Sequence, residues 1–309
     1  MEEYRIIKAL SGFYYVQTED GVVECRARGR FRRQDQSPLV GDFVRITRQG
    51  DKGVLEELLP RKNAFIRPAV ANIDQLVVLA SCAIPVTEPF LIDRVLAIAQ
   101  MQGVPALVVV NKDDLASAQP LAEIYRKAGV PVLVTSAETG EGIEALREAL
   151  NGKLSCLTGN SGVGKSSLLN RACPQLQLPV GEVSEKLGRG RHTTRHVELY
   201  PVEGGYVADT PGFSTMDIER YELFRKEELP EGFREFAPYL GECKFTSCSH
   251  TCEKGCAVLK AVEEGKISRS RIDSYITMYN EVKDIKEWQL SKQKMYDHRC
   301  GSVGVRRRF

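Results

Sequence analysis

The sequence predicts a multidomain chain: an N-terminal all-β unit over residues 1–65, a central α/β unit over 66–222, and a C-terminal, mostly helical, metal-stapled unit over 223–309. Three observations predict it. The chain has 309 residues, more than one core usually serves when domains run at roughly 100 to 200 residues. The hydrophobic period changes twice along its length. Four of the nine cysteines crowd between Cys243 and Cys256, while Cys25, Cys82, Cys156, Cys173 and Cys300 are scattered.

Up to about residue 65, short segments rich in Val, Ile, Tyr and Phe are punctuated by turn signals at Gly12, Asp20-Gly21, Gly41-Asp42 and Gly50 to Gly53, the signature of a small barrel or sandwich. From Ile73 the pattern changes. Apolar runs at 76–80, 106–110, 130–134 and 154–157 alternate with helical spacings such as Leu91, Val95, Ile98 and Ile143, Leu146, Leu150, which predicts a mostly parallel sheet covered by helices. After about residue 220 strand signals fade, and Ile272, Tyr275, Tyr279 and Val282 mark one face of a helix. Arg306, Arg307 and Arg308 close a basic tail.

Composition narrows the function classes. Apolar residues make up 42% and charged residues 27%, ordinary for a globular chain and unlike a disordered one. Runs such as Leu76 to Ala80 and Ala106 to Val110 fall far short of the 18 or so residues that cross a bilayer, and Met1 opens onto Glu2 and Glu3 rather than a basic leader. The expectation is a cytoplasmic protein with no membrane partner. Net charge is only +2, from 43 basic and 41 acidic residues, so a nucleic-acid partner could be marked only by local clustering.

The most specific motif is Gly159-Asn160-Ser161-Gly162-Val163-Gly164-Lys165-Ser166, which satisfies the P-loop pattern between the apolar run 154–157 and a helical Ser167-Leu168-Leu169-Asn170. Glycines let backbone N–H groups turn inward around phosphate oxygens, and the helix N-terminus adds the positive end of its dipole. Lys165 would reach the β/γ-phosphates, and the Ser166 hydroxyl would ligate Mg²⁺. The base is chosen elsewhere. Asn111-Lys112-Asp113-Asp114, at the end of the run 106–110, resembles the N-K-x-D guanine-recognition element. Asp114 would accept hydrogen bonds from guanine N1–H and the exocyclic amine, with Asn111 on the other edge. Thr135-Ser136-Ala137, also at a strand end, resembles the companion element whose backbone N–H meets guanine O6.

Downstream, Asp209-Thr210-Pro211-Gly212 follows the strand-like 206–208 and resembles D-x-x-G, in which the Asp reaches Mg²⁺ through water and the Gly N–H senses the γ-phosphate. Arg189-Gly190-Arg191-His192-Thr193-Thr194 resembles a switch I segment, with Thr194 the Mg²⁺-sensing hydroxyl and Thr193 its alternative. The guanine-reading elements at 111 and 135 precede the P-loop at 159, whereas ordinary small GTPases place them last. The order is that of a circular permutation, tolerable where domain termini lie close together.

Cys243, Cys248, His250 and Cys256 are spaced C-x4-C-x-H-x5-C, enough soft ligands for one closed tetrahedral Zn²⁺ site, structural because no position is left for a reacting water. Cys252 is the spare. In the first unit Arg26, Arg28, Arg30, Arg32 and Arg33 fall within eight residues, with Lys8 and Phe31 as neighbouring candidates for contact. On a strand the first four share one face, a row suited to RNA phosphates or simply a solvated face.

The barrel-like start, the series NKDD, TSA, GNSGVGKS, RHTTR, DTPG and the closing CKFTSCSHTCEKGC together resemble the RsgA (YjeQ/YloQ) family of small-ribosomal-subunit biogenesis GTPases, from about residue 4 to 290. The resemblance implies an OB-fold, a permuted GTPase domain binding GTP or GDP, and a zinc domain. It also implies engagement of the small ribosomal subunit and its rRNA late in assembly, with hydrolysis stimulated by the subunit and promoting release; a monomer is expected. The residue after Gly212 is Phe213, which cannot orient water by hydrogen bonding as the usual Gln does, and the resemblance transfers that role to His192. Lys165, Thr194 and His192 are thus the catalytic candidates. The other reading is an RNA-binding, GTP-dependent switch that hydrolyses only incidentally. The segment after Trp288 carries no implied role.

Overall fold

The alternation in the first sixty residues folds into five strands, β1 (Tyr4–Leu10), β2 (Phe13–Thr18), β3 (Gly21–Ala27), β4 (Phe43–Gln49) and β5 (Lys52–Leu58). The structure is a computed structural model, and it describes residues 2–29, 31, 37–66, 69–178, 197–209 and 225–285. β1 pairs antiparallel with β2 and also with β4, through Tyr4 and Val44, so the strand order 1-2-3-5-4 closes on itself. It is therefore an OB-like barrel and not a sandwich. Ile6, Val16, Val23, Cys25, Val44 and Leu55 turn inward from successive strands to fill it.

The arginine row does not follow from strand alternation. β3 stops at Ala27, and the chain turns there, with Phe31 N–H donating to Arg28 O at 3.1 Å. Phe31 itself is 4% exposed in the barrel core, so it is not a surface contact. Arg28 pairs with Glu56 at 2.6 Å, Arg26 lies over the Phe13 ring at 4.7 Å, and Lys8 pairs with Glu198 at 3.0 Å. Arg30, Arg32 and Arg33 lie outside the described residues.

A two-stranded ribbon, β6 (Ala64–Ile66) and β7 (Ala69–Ala71), leads out of the barrel. It also anchors the barrel. Val40 bridges Val70, and a Cβ on Gly41 would lie 2.2 Å from Ala71 O, so only glycine lets the two backbones approach this closely. Beside this contact the fully buried Asp42 accepts from Arg61 at 2.6 and 2.7 Å. Val40, Phe65 and Val70 join the core of the central unit, so the boundary expected at residue 65 falls inside this ribbon.

The central sheet runs in the order β10 (Val132–Val134), β9 (Ala106–Asn111), β8 (Gln75–Ser81), β11 (Leu154–Thr158) and β13 (Gly205–Asp209), all parallel, with β12 (Glu198–Val202) antiparallel at the end. β8 is buried at every position, as a central parallel strand covered on both faces should be. Helices α1 (Pro89–Met101) and α2 (Gln119–Lys127) cover one face, and α3 (Ile143–Leu150) and α4 (Lys165–Ala172) the other. The spacings Leu91, Val95, Ile98 and Ile143, Leu146, Leu150 fall on α1 and α3 as the sequence predicts. β12 pairs with β1 through Lys8 and Glu198, so barrel and central sheet run on as one.

The described residues of the C-terminal unit form two 3₁₀ turns, Leu229–Gly232 and Arg234–Tyr239, and two helices, α5 (Ala257–Glu263) and α6 (Arg269–Val282). Ile272, Tyr275 and Val282 are buried on α6 as expected, together with Met278, and Phe233 and Phe236 pack on Tyr275 at 5.3 and 5.1 Å. α1 shares this core through Ala97. Arg271, 1% exposed, donates to Asp93 of α1 at 2.8 Å and to Glu235 at 2.6 and 3.1 Å, with its plane over Phe233 at 4.6 Å. A buried charge needs such partners, so this triad fixes the C-terminal unit to one side of α1.

Candidate nucleotide site and metal centre

Three loops converge at the carboxyl ends of parallel strands, where open α/β sheets place their ligands. Residues 159–164 connect β11 to α4, residues 112–118 follow β9, and residues 135–142 follow β10. Asn111, 1% exposed, ties them together. Its Nδ2 donates to Val163 O at 2.9 Å, and its Oδ1 accepts from Ala137 N at 3.2 Å and from Thr135 Oγ1 at 3.4 Å. A Cβ on Gly164 would meet Asn111 Nδ2 at 2.4 Å, so glycine is needed there both for this contact and for its φ of 91°. The P-loop and the base-side elements, 52 residues apart, therefore form one hydrogen-bonded unit.

The carboxylates are aimed by short bonds. Ser136 Oγ donates to Asp114 Oδ1 at 2.6 Å and accepts from Thr139 N at 3.0 Å, which leaves Asp114 exposed and oriented. Asp113 instead accepts from Ala118 N at 2.6 Å and organises the entry to α2. Lys112, at φ 71°, donates to Ile84 O at 2.7 Å, and Gly162 of the P-loop lies against Pro85 of the same 82–88 loop. Lys165 and Ser166 open α4 and Ser167 follows, all half-buried, while Gly159 and Asn160 bridge β11 to the exposed Ser161 and Gly162. Such a crevice can hold a nucleotide with its phosphates on the loop 159–166 and its base against 111–114 and 135–137.

Sequence reasoning missed two supports. Arg171 at the end of α4 donates to Ala137 O at 3.0 Å and Glu138 O at 2.9 Å, and the 82–88 loop buttresses Lys112 and Gly162. Neither belongs to a motif; a basic residue in the last turn of a helix was the only sign of the first. Asp209 is the last residue of β13, in register with Leu157 of β11, which brings it beside the P-loop. His192, Thr193, Thr194, Gly212 and Phe213 lie outside the described residues.

In the C-terminal unit Cys243, Cys248, His250 and Cys256 bring their ligand atoms within 4.8 Å of one another. Cys243 Sγ stands 3.5 Å from His250 Nδ1 and 3.9 Å from Cys256 Sγ, and His250 Nδ1 is 3.4 Å from Cys256 Sγ. A Zn–S bond of about 2.3 Å implies a tetrahedron edge of about 3.8 Å, so the donor set fits zinc. Backbone N–H groups at the start of α5 point at the sulfurs, Ala257 to Cys243 at 3.3 Å and Leu259 to Cys256 at 3.5 Å, and favour thiolates. Burial lowers the pKa of His250, the direction that favours the neutral imidazole a metal ligand needs. Cys252 is exposed and stands outside the group. The ligand loop is braced by Tyr275, whose hydroxyl donates to Ser249 O at 2.8 Å, and by Glu253. Burial opposes the Glu253 charge, yet hydrogen bonds from Ser249 and from backbone N–H groups bring its pKa down to about 2.

Base-side loops that come first in the chain, hydrogen-bonded to a P-loop that comes after them, define a circularly permuted P-loop GTPase domain. Comparison with known proteins narrows the class. The profile of the RsgA GTPase family matches residues 58–219 and that of the RsgA N-terminal domain residues 4–55, so the chain belongs to the RsgA family and is a GTP hydrolase. A relative from Caldanaerobacter subterraneus subsp. tengcongensis, a small ribosomal subunit biogenesis GTPase, is 46% identical over 91% of this chain and 95% of its own. One of the same description from Geobacillus thermodenitrificans is 45% identical over 93% and 99%. Among solved structures, YjeQ from Thermotoga maritima superposes with a TM-score of 0.78 at 37% identity over 92% of this chain and 99% of its own. YloQ, a circularly permuted GTPase, does so with 0.75 at 35% over 93% and 96%. Among the described residues no helix is long and apolar enough to cross a membrane.

Proposed function

We propose that this protein binds the small ribosomal subunit through its rRNA, acts in late assembly of that subunit, and hydrolyses GTP there so that hydrolysis promotes its release. The single observation that supports this reading most is the Asn111 bridge, which makes one guanine-nucleotide pocket out of permuted elements, on a chain whose relatives are small ribosomal subunit biogenesis GTPases. In this reading Asp114 accepts from guanine N1–H and N2, held by Ser136, and the Ala137 N–H is shared between Asn111 and guanine O6. Asn111 then serves chiefly as the tie between loops, with one N–H left for the other edge of the base. Backbone N–H groups of residues 159–166 and the Lys165 ammonium surround the phosphates. Ser166 and Thr194 would hold Mg²⁺, which supplies charge neutralisation on the β- and γ-oxygens when bound. Asp209 would reach that ion through water, Gly212 would sense the γ-phosphate, and His192 would position the attacking water. Cys243, Cys248, His250 and Cys256 would hold one structural Zn²⁺.

GTP turnover measured with and without purified small subunits tests the reading. Stimulation of turnover by small subunits and by no other RNA of similar length is the expected result. Tight subunit binding with unstimulated turnover would instead favour the incidental-hydrolysis switch.

A further inference from the structure

Asp114 stands at the end of a chain of hydrogen bonds that begins on the P-loop helix. Arg171 lies in the last turn of α4, whose first residues are Lys165 and Ser166. Its Nη1 donates to Ala137 O at 3.0 Å and to Glu138 O at 2.9 Å. The Glu138 carbonyl and the Thr139 N–H are the two ends of one planar trans peptide and point in opposite directions. A guanidinium fixed on that carbonyl therefore aims the N–H, which donates to Ser136 Oγ at 3.0 Å. Ser136 Oγ in turn donates to Asp114 Oδ1 at 2.6 Å. Every bond runs in the same sense, from the guanidinium cation to the carboxylate, so each polarises the next. The turn that carries them is closed by Gly140 N to Ser136 O at 2.9 Å and Ser136 N to Glu141 O at 3.0 Å. Arg171 reaches across to this turn, while the carbonyl at the end of its own helix, Ala172 O, accepts from Arg147 Nε at 3.0 Å. The turn also leaves room for it. A Cβ on Gly140 would lie 2.9 Å from Arg171 Nη2 and 3.4 Å from its Nε.

We propose that Arg171 is a positioning residue for guanine recognition: held on the 137–138 carbonyls, it orients the Asp114 carboxylate through Thr139 N–H and Ser136 for its two hydrogen bonds to guanine N1–H and N2. The proposal rests on the base site proposed above and gives it a specificity device. The helix that opens at the phosphate loop would also set the group that reads the base. Asp114 is exposed, so its carboxylate can rotate unless a partner restrains it. Accepting two N–H groups at once needs both oxygens in the plane of the base, whereas accepting one tolerates rotation. Hypoxanthine keeps N1–H and O6 but lacks the 2-amino group. The relay should therefore matter for guanine and much less for hypoxanthine.

The test titrates the full chain with GDP and with IDP, its hypoxanthine counterpart, by calorimetry. The proteins are wild type, Arg171→Met, Arg171→Lys, Ser136→Ala and the double variant Arg171→Met/Ser136→Ala. Arg171→Met should weaken GDP binding about tenfold, the lower end for a hydrogen bond to a charged group, and IDP binding by less than about threefold. Because the arginine acts through the serine, the double variant should lose about tenfold relative to wild type and not about a hundredfold. Arg171→Lys keeps a charged donor without the fork and should stay within about threefold of wild type. Equal losses for GDP and IDP would overturn the proposal and leave Arg171 as a brace for the loop. So would additive losses in the double variant, or wild-type GDP affinity in Arg171→Met. If Arg171→Met does not fold, judged by its thermal midpoint, Arg171→Gln takes its place in the cycle. Wild type binding IDP as tightly as GDP would refute the base site itself, and the proposal with it, before any variant is compared.

Discussion

The nucleotide site and the Cys/His centre each aim polar groups at a charge, and they are assembled in opposite ways. The nucleotide site gathers residues 111–114, 135–139 and 159–166, each at the end of a different strand, and Asn111 and Val163 meet across 52 positions of sequence. Its precision comes from the sheet, whose strand β8 is buried at every residue, and its ties are ordinary hydrogen bonds between protein groups. The metal centre draws its four ligands from the single stretch 243–256, with no sheet beneath it. A metal ion held by these four donors would organise that stretch. The difference teaches that the first site should survive the loss of its ligand, whereas the second should not.

Removing zinc is the strongest way to break the comparison. Cys248→Ser, or chelation, should take the metal from one ion per chain to none by elemental analysis and abolish hydrogen-exchange protection across residues 243–260. The local loss is several kcal/mol, below the roughly 10 to 16 kcal/mol of isolated zinc-finger peptides. It is smaller because Phe233, Phe236 and Tyr275 keep a core of their own. GTP affinity should stay within about twofold of wild type if the sites are as independent as their construction implies. A concerted loss of zinc and GTP affinity would show that the Arg271–Asp93 ion pair couples them through α1.

Within the nucleotide site, chemistry and recognition should separate. His192→Ala is expected to leave GTP affinity nearly intact and lower subunit-stimulated turnover by about 10² to 10⁴, the range of a positioned acid–base group. Wild-type stimulated turnover at saturating GTP and subunits would pass the water-positioning role to another group. Asp114→Asn should act on binding instead. Replacing half of the acceptor with a donor opposite guanine N1–H should cost about 10² in GTP affinity and move preference toward xanthosine nucleotides. Titration calorimetry with both nucleotides measures this, and unaltered GTP affinity would remove Asp114 from the base site.

Much of this division was legible in the sequence, and the reason differs between regions. Motifs such as 159–166 and 111–114 are readable because backbone geometry around a phosphate or a guanine edge tolerates few residue types. The zinc ligands are readable because they are local. Long-range supports are not. Only its place in the last turn of a helix hints at Arg171 as the anchor of the Ala137 carbonyl, and nothing local marks Ala97 as part of the C-terminal core, because each depends on which face of a helix another element covers. The arginine row shows the reverse error. Alternation is a valid rule on a strand, but β3 ends at Ala27, and Phe31, a candidate for contact by its place among the arginines, fills the barrel instead.

The smallest expected effect tests how far the sheet alone aims the nucleotide site. In the proposed pocket Ser136 would act on the base only through Asp114, by the 2.6 Å hydrogen bond that fixes one carboxylate oxygen, and it is itself fully buried. Ser136→Ala leaves the charge of Asp114 in place and removes its restraint. Thr139 N, which donates to the same hydroxyl, loses an acceptor as well. A hydrogen bond to a charged group contributes about 1.5 to 3 kcal/mol, and because Asp114 is exposed the lower end applies, equivalent to about tenfold in GTP affinity. The loss should be equal for GDP and GTP, since the γ-phosphate is not involved, and turnover at saturating GTP should be unchanged. Titration of both nucleotides decides it. A loss as large as that of Asp114→Asn would mean that the serine, and not the strand end, aims the carboxylate. No loss would mean that the end of β9 and the fold of residues 112–118 aim it unaided.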